Sequence, residues 1–346
     1  MRPTPRSSHR GAADWFLIGI IAAVALASVA PQLGRTGGVF HLDLIGNVGI
    51  VIVFFLHGMG LSTERLREGA SRWRLHLLVQ LCTFAAFPLW WWLLSRVVGA
   101  HVPHELVLGF FFLAVLPSTL SSSVALTGVA GGNVAAAMLN ATLSTLLGVI
   151  LTPLLASLVF GQAGGTGHSM DLWDTMRKVA LMLLLPFVAG QLLRPWLGAW
   201  FQRIHSRTMA LDRAMILLLV WSSFSDSVAD GLWSKYGIAL IGMALAGVLL
   251  FLLPMLWFTR VVARWMGLPV TDEIVAVFCG SKKSLASGIP MARLLFGGDP
   301  ALGLLVLPII FYHQIQLFVC SLMARRYAKR RVGPPSLSEP AGGSRP

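Results

Sequence analysis

The stretch "FCGSKKSLASGIP", residues 278–290, decides how the rest of this chain is read. It sits where an apolar segment should be most apolar. Yet it carries Lys282 and Lys283 side by side, among three serines and two glycines, just before Pro290.

The surroundings make those lysines costly. The chain has 346 residues, of which 56% are hydrophobic and 12% charged, and its mean hydropathy is +0.75. Soluble domains average about 25% charged residues. Runs such as "DWFLIGIIAAVALASVA" (14–30), "ALMLLLPFVAGQLL" (180–193) and "YGIALIGMALAGVLLFLLPMLWF" (236–258) approach or exceed the roughly 17–25 residues of a spanning helix. No alternating ten-residue segments of the kind a β-barrel needs are visible. The fold class is therefore an all-α polytopic membrane protein.

A basic start followed by an apolar run resembles a signal peptide. The many later spans favour an uncleaved first helix instead. Cys82, Cys279 and Cys320 lie far apart inside apolar segments, without metal spacing or a disulfide framework.

Ten spans are expected, near 14–31, 42–60, 75–98, 105–125, 134–160, 176–194, 212–229, 236–259, 271–296 and 302–324. An even count sorts the basic residues cleanly. One face receives Arg2, Arg6, Arg10, Arg65, Arg67, Arg72, Arg74, Arg194, Arg203, Arg207, Arg213, Arg260, Arg264 and "RRYAKRR" (325–331). The other receives only Arg35, Arg96, Arg177, Lys178, Lys235 and Arg293. The positive-inside rule makes the richer face cytoplasmic, with both termini on it, in the cell (inner) membrane. The net charge of +13 then reflects topology and contact with anionic lipids, and nucleic acid is not needed to explain it. Trp90, Trp91, Trp92, Trp196, Trp200, Trp257 and Trp265 fall near span ends, as an interfacial belt does. "GLSTERLREGASRWR" (60–74) reads as a capped basic helix lying at the interface.

The chain divides into an N-terminal tail (1–13), a five-helix repeat (14–160), a linker (161–175), a second five-helix repeat (176–325) and a basic disordered tail (326–346). The fourth span of each half is irregular. "FFFLAVLPSTLSSSVALTGVAGGN" (110–133) and "VFCGSKKSLASGIPMARLLFGGD" (277–299) both start apolar and break into serines near a proline. Both then end in Gly-Gly before Asn or Asp. Five spans per half gives the halves opposite orientations. Inverted repeats with interrupted helices at matching places point to a transporter's midplane site. Irregular backbone at that depth survives only inside protein or along a polar cavity.

Counted from Thr271 at about 1.5 Å per residue, the lysines sit roughly 16 Å into a core about 30 Å thick. They are too deep to snorkel, so at least one must face a polar cavity, pair with an anion, be neutral, or fix the broken helices by bonding freed carbonyls. The candidate substrate and ion site comprises Ser118, Thr119, Ser121, Ser122, Ser123, Asn140, Ser281, Lys282, Lys283, Ser284, His313 and Gln314, with Tyr312 and Gln316 nearby. His57 reads as a packed histidine.

The motifs "PSTLSSSVALTGVAGGNVAAAMLN" (117–140), "FCGSKKSLASGIPMA" (278–292) and "LPIIFYHQIQLF" (307–318) resemble the bile acid:sodium symporter superfamily. The likeness is closest to its lysine-bearing branch, which includes the seventh member of vertebrate solute carrier family 10. It implies a panel domain (spans 1, 2, 6, 7) and a core domain (spans 3–5, 8–10), with broken helices 4 and 9 crossing. It also implies secondary transport of a small organic anion and no resident cofactor, with Na⁺ or H⁺ as coupling ion. Sodium-coupled members carry a Ser-Asn pair where Ser122 and Ser123 stand here. Their other ligand positions fall at Ala137, Ala141, Phe278 and Lys282, which puts sodium coupling in question. Lys282 is expected to stand in for the ion, held by Ser122, Ser123 and freed carbonyls, with Lys283 facing the substrate path or a carbonyl.

Two other classes stay open on the sequence. One is a non-transporting membrane regulator of ion handling. The other is an intramembrane Ser-Lys hydrolase, with Ser118 or Ser121 as nucleophile and Lys282 as base. No substrate identity or oligomeric state follows from the residues.

Overall fold

A computed structural model describes residues 8–38, 40–60, 72–160, 177, 180–296, 299 and 301–331. Residues 61–71 of the expected interfacial helix, the linker 161–175 and residues 1–7 and 332–346 of the tails lie outside the described residues. Every regular element among the described residues is helical. In chain order these are α1 (Ser8–Val29), α2 (Pro31–Gly34), α3 (Leu42–Gly60), α4 (Trp73–Leu81), α5 (Phe87–Val98), α6 (His104–Val115), α7 (Ser121–Val129), α8 (Val134–Phe160), α9 (Leu185–Ala229), α10 (Leu232–Trp265), α11 (Val270–Gly280), α12 (Leu285–Phe296) and α13 (Leu302–Arg331). A π-helical turn, Cys82–Ala86, joins α4 to α5.

Seven of the described helical segments are long and apolar enough to cross a membrane: Leu42–Gly60, Trp73–His101, Val134–Val159, Leu181–Ile204, Arg207–Ala229, Ala239–Trp265 and Leu302–Lys329. The shorter apolar helices Ile18–Val29 and His104–Val115 join them. This is an integral, multi-pass membrane protein.

Helix α9 conceals a reversal. Its 45 residues would be about 68 Å long if straight, more than twice the hydrocarbon core. Yet Gly58 of α3 lies against Phe187, while the neighbouring His57 lies 3.6 Å from Asp212. Phe187 and Asp212 would be roughly 37 Å apart on a straight helix. The chain therefore doubles back, and the two arms of α9 clasp α3. Backbones approach closely there: a Cβ on Gly58 would lie 2.0 Å from the Phe187 carbonyl oxygen, and one on Gly190 2.1 Å from that of Phe55. Small residues at a membrane helix contact permit that packing.

α1, α2 and α3 pack on α9, whereas α4 to α8 and α10 to α13 pack mainly on one another. Two charged clusters mark opposite ends of the second group. At one end Asp272 and Glu273, in the first turn of α11, meet Arg72 and the pair Arg260 and Arg264. Carboxylates at a helix N-terminus are also favoured by its dipole. At the other end Arg293 of α12 meets Asp226 of α9. Arg72, Arg260 and Arg264 thus gather at the start of α11, and Arg293 lies near the end of α12.

Two interruptions organise the second group. α6 stops because Leu116, ahead of Pro117, is extended (φ −70°, ψ 151°), as a residue before proline prefers to be. The chain resumes as α7 at Ser121. The second interruption covers 281–284, between α11 and α12. Pro290 is not at that break; it lies inside α12. The unwound stretches bond directly, Ser284 N–H to the Pro117 carbonyl at 2.9 Å. Freed groups find further partners: Thr152 Oγ1 donates to the Val115 carbonyl (2.7 Å), and Ser118 N–H donates to Ser144 Oγ (2.8 Å).

Candidate functional site

Both lysines at the second break are fully buried, but their surroundings differ. Lys283 Nζ donates to three main-chain carbonyls, of Thr83 (2.8 Å), Ala114 (2.7 Å) and Leu116 (2.8 Å). It also lies 4.2 Å from the Phe87 ring centroid.

Each of those carbonyls is orphaned for a local reason. Ala114 and Leu116 belong to the end of α6, where the helix stops and its last oxygens lose their partners. Thr83 sits in the π-turn, where Phe87 N–H bonds to the Cys82 carbonyl. The next donor in that register is residue 88, a proline with no N–H to give the Thr83 carbonyl. Gln316 of α13 clamps the same lysine's backbone: its Oε1 accepts Lys283 N–H at 2.9 Å, and its Nε2 donates to the Lys283 carbonyl at 2.8 Å.

Lys282 is held far more loosely. Its Nζ donates to Ser122 Oγ at 2.8 Å, its single protein acceptor among the described residues. From Ser122 a chain of hydroxyls runs on. Ser122 donates to Thr119 Oγ1 (2.9 Å), Thr119 is 2.8 Å from Ser123 Oγ, and Ser123 donates to the Phe278 carbonyl (3.0 Å). One proton per hydroxyl fixes the direction of the chain from ammonium to carbonyl. Two of the three Lys282 N–H bonds stay uncommitted. His313, Cys279 and Cys320 lie within electrostatic reach of its charge.

The remaining candidates divide. Ser284 caps α12 by accepting Ser287 N–H at 3.2 Å, and Ser281 Oγ returns to the Val277 carbonyl at 2.5 Å. Tyr312 OH donates to the Ser281 carbonyl at 2.6 Å. These three serve the break itself. His313 Nδ1 lies 3.2 Å from Gln316 Nε2. Ser118 Oγ, Asn140 Oδ1 and Gln314 Nε2 are buried without a protein partner among the described residues. Ser121 is exposed on α7. The hydroxyl at Lys282 is thus Ser122, not Ser118 or Ser121.

The carbonyl cage differs from the sequence expectation. Freed carbonyls surround Lys283, and Ser123 bonds to Phe278 instead of to Lys282. Thr83 and Phe87 were not among the candidates. Pro88, a helix-interior proline in "CTFAAFP", is the signal that marks them.

The chain that carries these broken helices and buried lysines is similar to known proteins over most of its length. The SBF-like CPA transporter family profile matches residues 14–329. The chain belongs to that family. Its family role is transport and not catalysis, which removes the hydrolase reading. An "Uncharacterized protein PA2026" of Pseudomonas aeruginosa is 46% identical over 319 residues, 92% of this chain and 94% of the relative. The "Putative symporter YfeH" of Escherichia coli K12 is 41% identical over 319 residues, 92% of this chain and 93% of the relative. "Sodium/bile acid cotransporter 7" of Mus musculus is 29% identical over 324 residues, 92% and 93% of the two chains. The SBF-like family thus supports the relation to the bile acid:sodium symporters.

Proposed function

We propose that this SBF-like protein is a secondary active transporter of a small organic anion, with Lys282 as the group that meets the substrate's charge. The observation carrying this reading is the contrast between the lysines. Lys283 has three carbonyl acceptors, whereas Lys282 has one hydroxyl and two spare N–H bonds. A buried ammonium so poorly partnered is costly unless something anionic completes it. Ser122, His313, Asn140 and Gln314 would supply neutral polar contacts around it.

The reading includes ten spans as two inverted repeats, with α1, α3 and α9 as panel and the remaining spans as core. Both termini would be cytoplasmic in the cell membrane, as the basic loops favour. The division into two packed groups supports alternating access, as does similarity to a protein named a putative symporter.

Sodium does not fit this reading. Of the positions expected to match sodium ligands, Ser122 and Ser123 keep hydroxyls, but the others are the buried alkyl groups of Ala137 and Ala141, the buried ring of Phe278, and Lys282 itself. A hard cation needs oxygens, and a neighbouring ammonium repels it. Coupling would come from a proton or from exchange of anions.

Flux into proteoliposomes of purified protein tests this, with labelled small carboxylates as probes. Uptake in sodium-free buffer, driven by a pH gradient or by preloaded anion, is the expected result. Strict dependence of every flux on Na⁺ would overturn it.

A further inference from the structure

We infer that Lys283 is a tethered cation: its ammonium fills a carbonyl site at the crossing of the broken helices and holds that crossing together without a free metal ion. The inference deepens the sodium-independent reading above. It is tested on stability and not on flux, so the two fail separately.

The geometry specifies the ionic form. A neutral amine has two N–H bonds and one lone pair. Three carbonyl oxygens at 2.7–2.8 Å require three N–H bonds, because a nitrogen lone pair aimed at a carbonyl lone pair is repulsive. The Phe87 ring face, 4.2 Å away, is the environment that attracts a cation. Among the described residues no cluster of His, Cys, Asp and Glu able to hold a metal ion is present. The ammonium's hydrogen-bond acceptors among the described residues are main-chain oxygens.

Its three carbonyls come from two places. Thr83 lies on the π-turn before α5, and Ala114 and Leu116 lie at the broken end of α6. The lysine comes from the second break. One ammonium thus joins both interruptions to a third span. The desolvated charge that would otherwise be a liability becomes the partner of three oxygens with no other donor among the described residues.

Size and charge can both be tested. Lys283→Ala removes a propylammonium-sized group and leaves three facing carbonyls with no donor. Its Tm in detergent should fall by roughly 5–10 °C. n-Propylammonium or Na⁺ should restore at least half of that fall, while choline, too large for the cage, should not. The wild-type Tm should not change with any of the three. A Lys283→Ala protein whose Tm equals wild type, or ignores both propylammonium and Na⁺, overturns the inference. If Lys283→Ala does not accumulate, membrane levels of Lys283→Arg and Lys283→Met replace it. Arg exceeding Met by several-fold supports a required cation, and Met equal to or above Arg overturns it.

Discussion

Arg293 and Asp226 are joined through a third residue as well as directly. Arg293 Nη1 lies 3.4 Å from Asp226 Oδ2, a long contact for an ion pair. Thr36 shortens the path: its hydroxyl accepts from Arg293 Nη2 at 2.8 Å and donates to Asp226 Oδ2 at 2.6 Å. Its N–H holds the other carboxylate oxygen at 2.8 Å. Arg293 lies on broken α12, Asp226 on α9 and Thr36 between α2 and α3, so the triad ties the two packed groups together. Beside it, Gly303 N–H donates to Ser227 Oγ at 2.9 Å, continuing the seam into α13.

A triad bridging the two packed groups should be coupled energetically. Arg293→Gln and Asp226→Asn should each lower stability, by about 3–5 kcal/mol if the stranded partner stays buried. The double variant should lose less than the sum. A double-mutant cycle on thermal unfolding in detergent measures the coupling. Strict additivity would show that the two residues act separately. In the double variant, a cysteine placed near the seam should also label faster from the Arg293 end.

Much of this was legible in the sequence, for physical reasons. Pro117 forces Leu116 out of helix, so the first break was readable to the residue. Buried lysines in an apolar run announced the second, although Gly280 and the serines, not Pro290, mark it. What could not be read was which lysine does what. Adjacent residues leave an unwound segment in different directions, and only the packed partners decide. Thr83 was hidden because its carbonyl, not its side chain, carries the function. Carbonyls leave no trace in a string of residue types; only the missing N–H of Pro88 does. Where spans were expected near 176–194 and 212–229, the described residues carry two apolar segments, Leu181–Ile204 and Arg207–Ala229.

Glycine substitutions test the doubling of α9 around α3. At Gly58 and Gly190 a new Cβ would meet backbone oxygens at 2.0 and 2.1 Å, which no rotamer change relieves. Gly58→Ala and Gly190→Ala should each cost several kcal/mol or abolish accumulation, the overpacking penalty being at least about 1–3 kcal/mol. Gly242, on α10, has nothing within 4 Å of its Cβ position. Gly242→Ala should be neutral or stabilise by up to about 1 kcal/mol from helix propensity. Thermal unfolding of the three proteins side by side decides it, and similar losses at all three would refute the clasp.

The Glu273 cluster should behave as an anchor for α11. Glu273 is buried and accepts from Arg260 (3.2 Å), Arg264 (3.0 Å) and Tyr327 OH (2.7 Å). Glu273→Gln keeps the shape but leaves two guanidinium groups without a counter-charge. It should destabilise by about 2–4 kcal/mol, whereas Tyr327→Phe, losing one neutral donor, should cost about 1–2 kcal/mol. Because Arg260 and Arg264 are partly exposed, added salt should narrow the gap between wild type and Glu273→Gln. Unfolding at low and high ionic strength measures that narrowing. A gap that widens with salt would contradict it.

Lys282 should separate function from stability where Lys283 cannot. Its ammonium is fully buried with one hydrogen bond, so in the unliganded protein it is a desolvated charge with little compensation. Replacing a buried charge of that kind by a hydrophobic group of similar volume is often neutral or stabilising, by about 1–4 kcal/mol. Lys282→Met should therefore have a Tm equal to or above wild type. The same substitution removes the proposed charge for an anion, and uptake should fall at least about 100-fold, since charged hydrogen bonds are worth roughly 1.5–3 kcal/mol and a buried counter-charge more. Lys282→Arg should retain part of the flux, and Ser122→Ala, which removes one neutral contact, should weaken it modestly. Tm and uptake measured on the same preparations distinguish the two roles. Lys282→Met with wild-type uptake would end the assignment of this lysine to the substrate, while Lys282→Met with a Tm as low as that of Lys283→Ala would make both lysines structural.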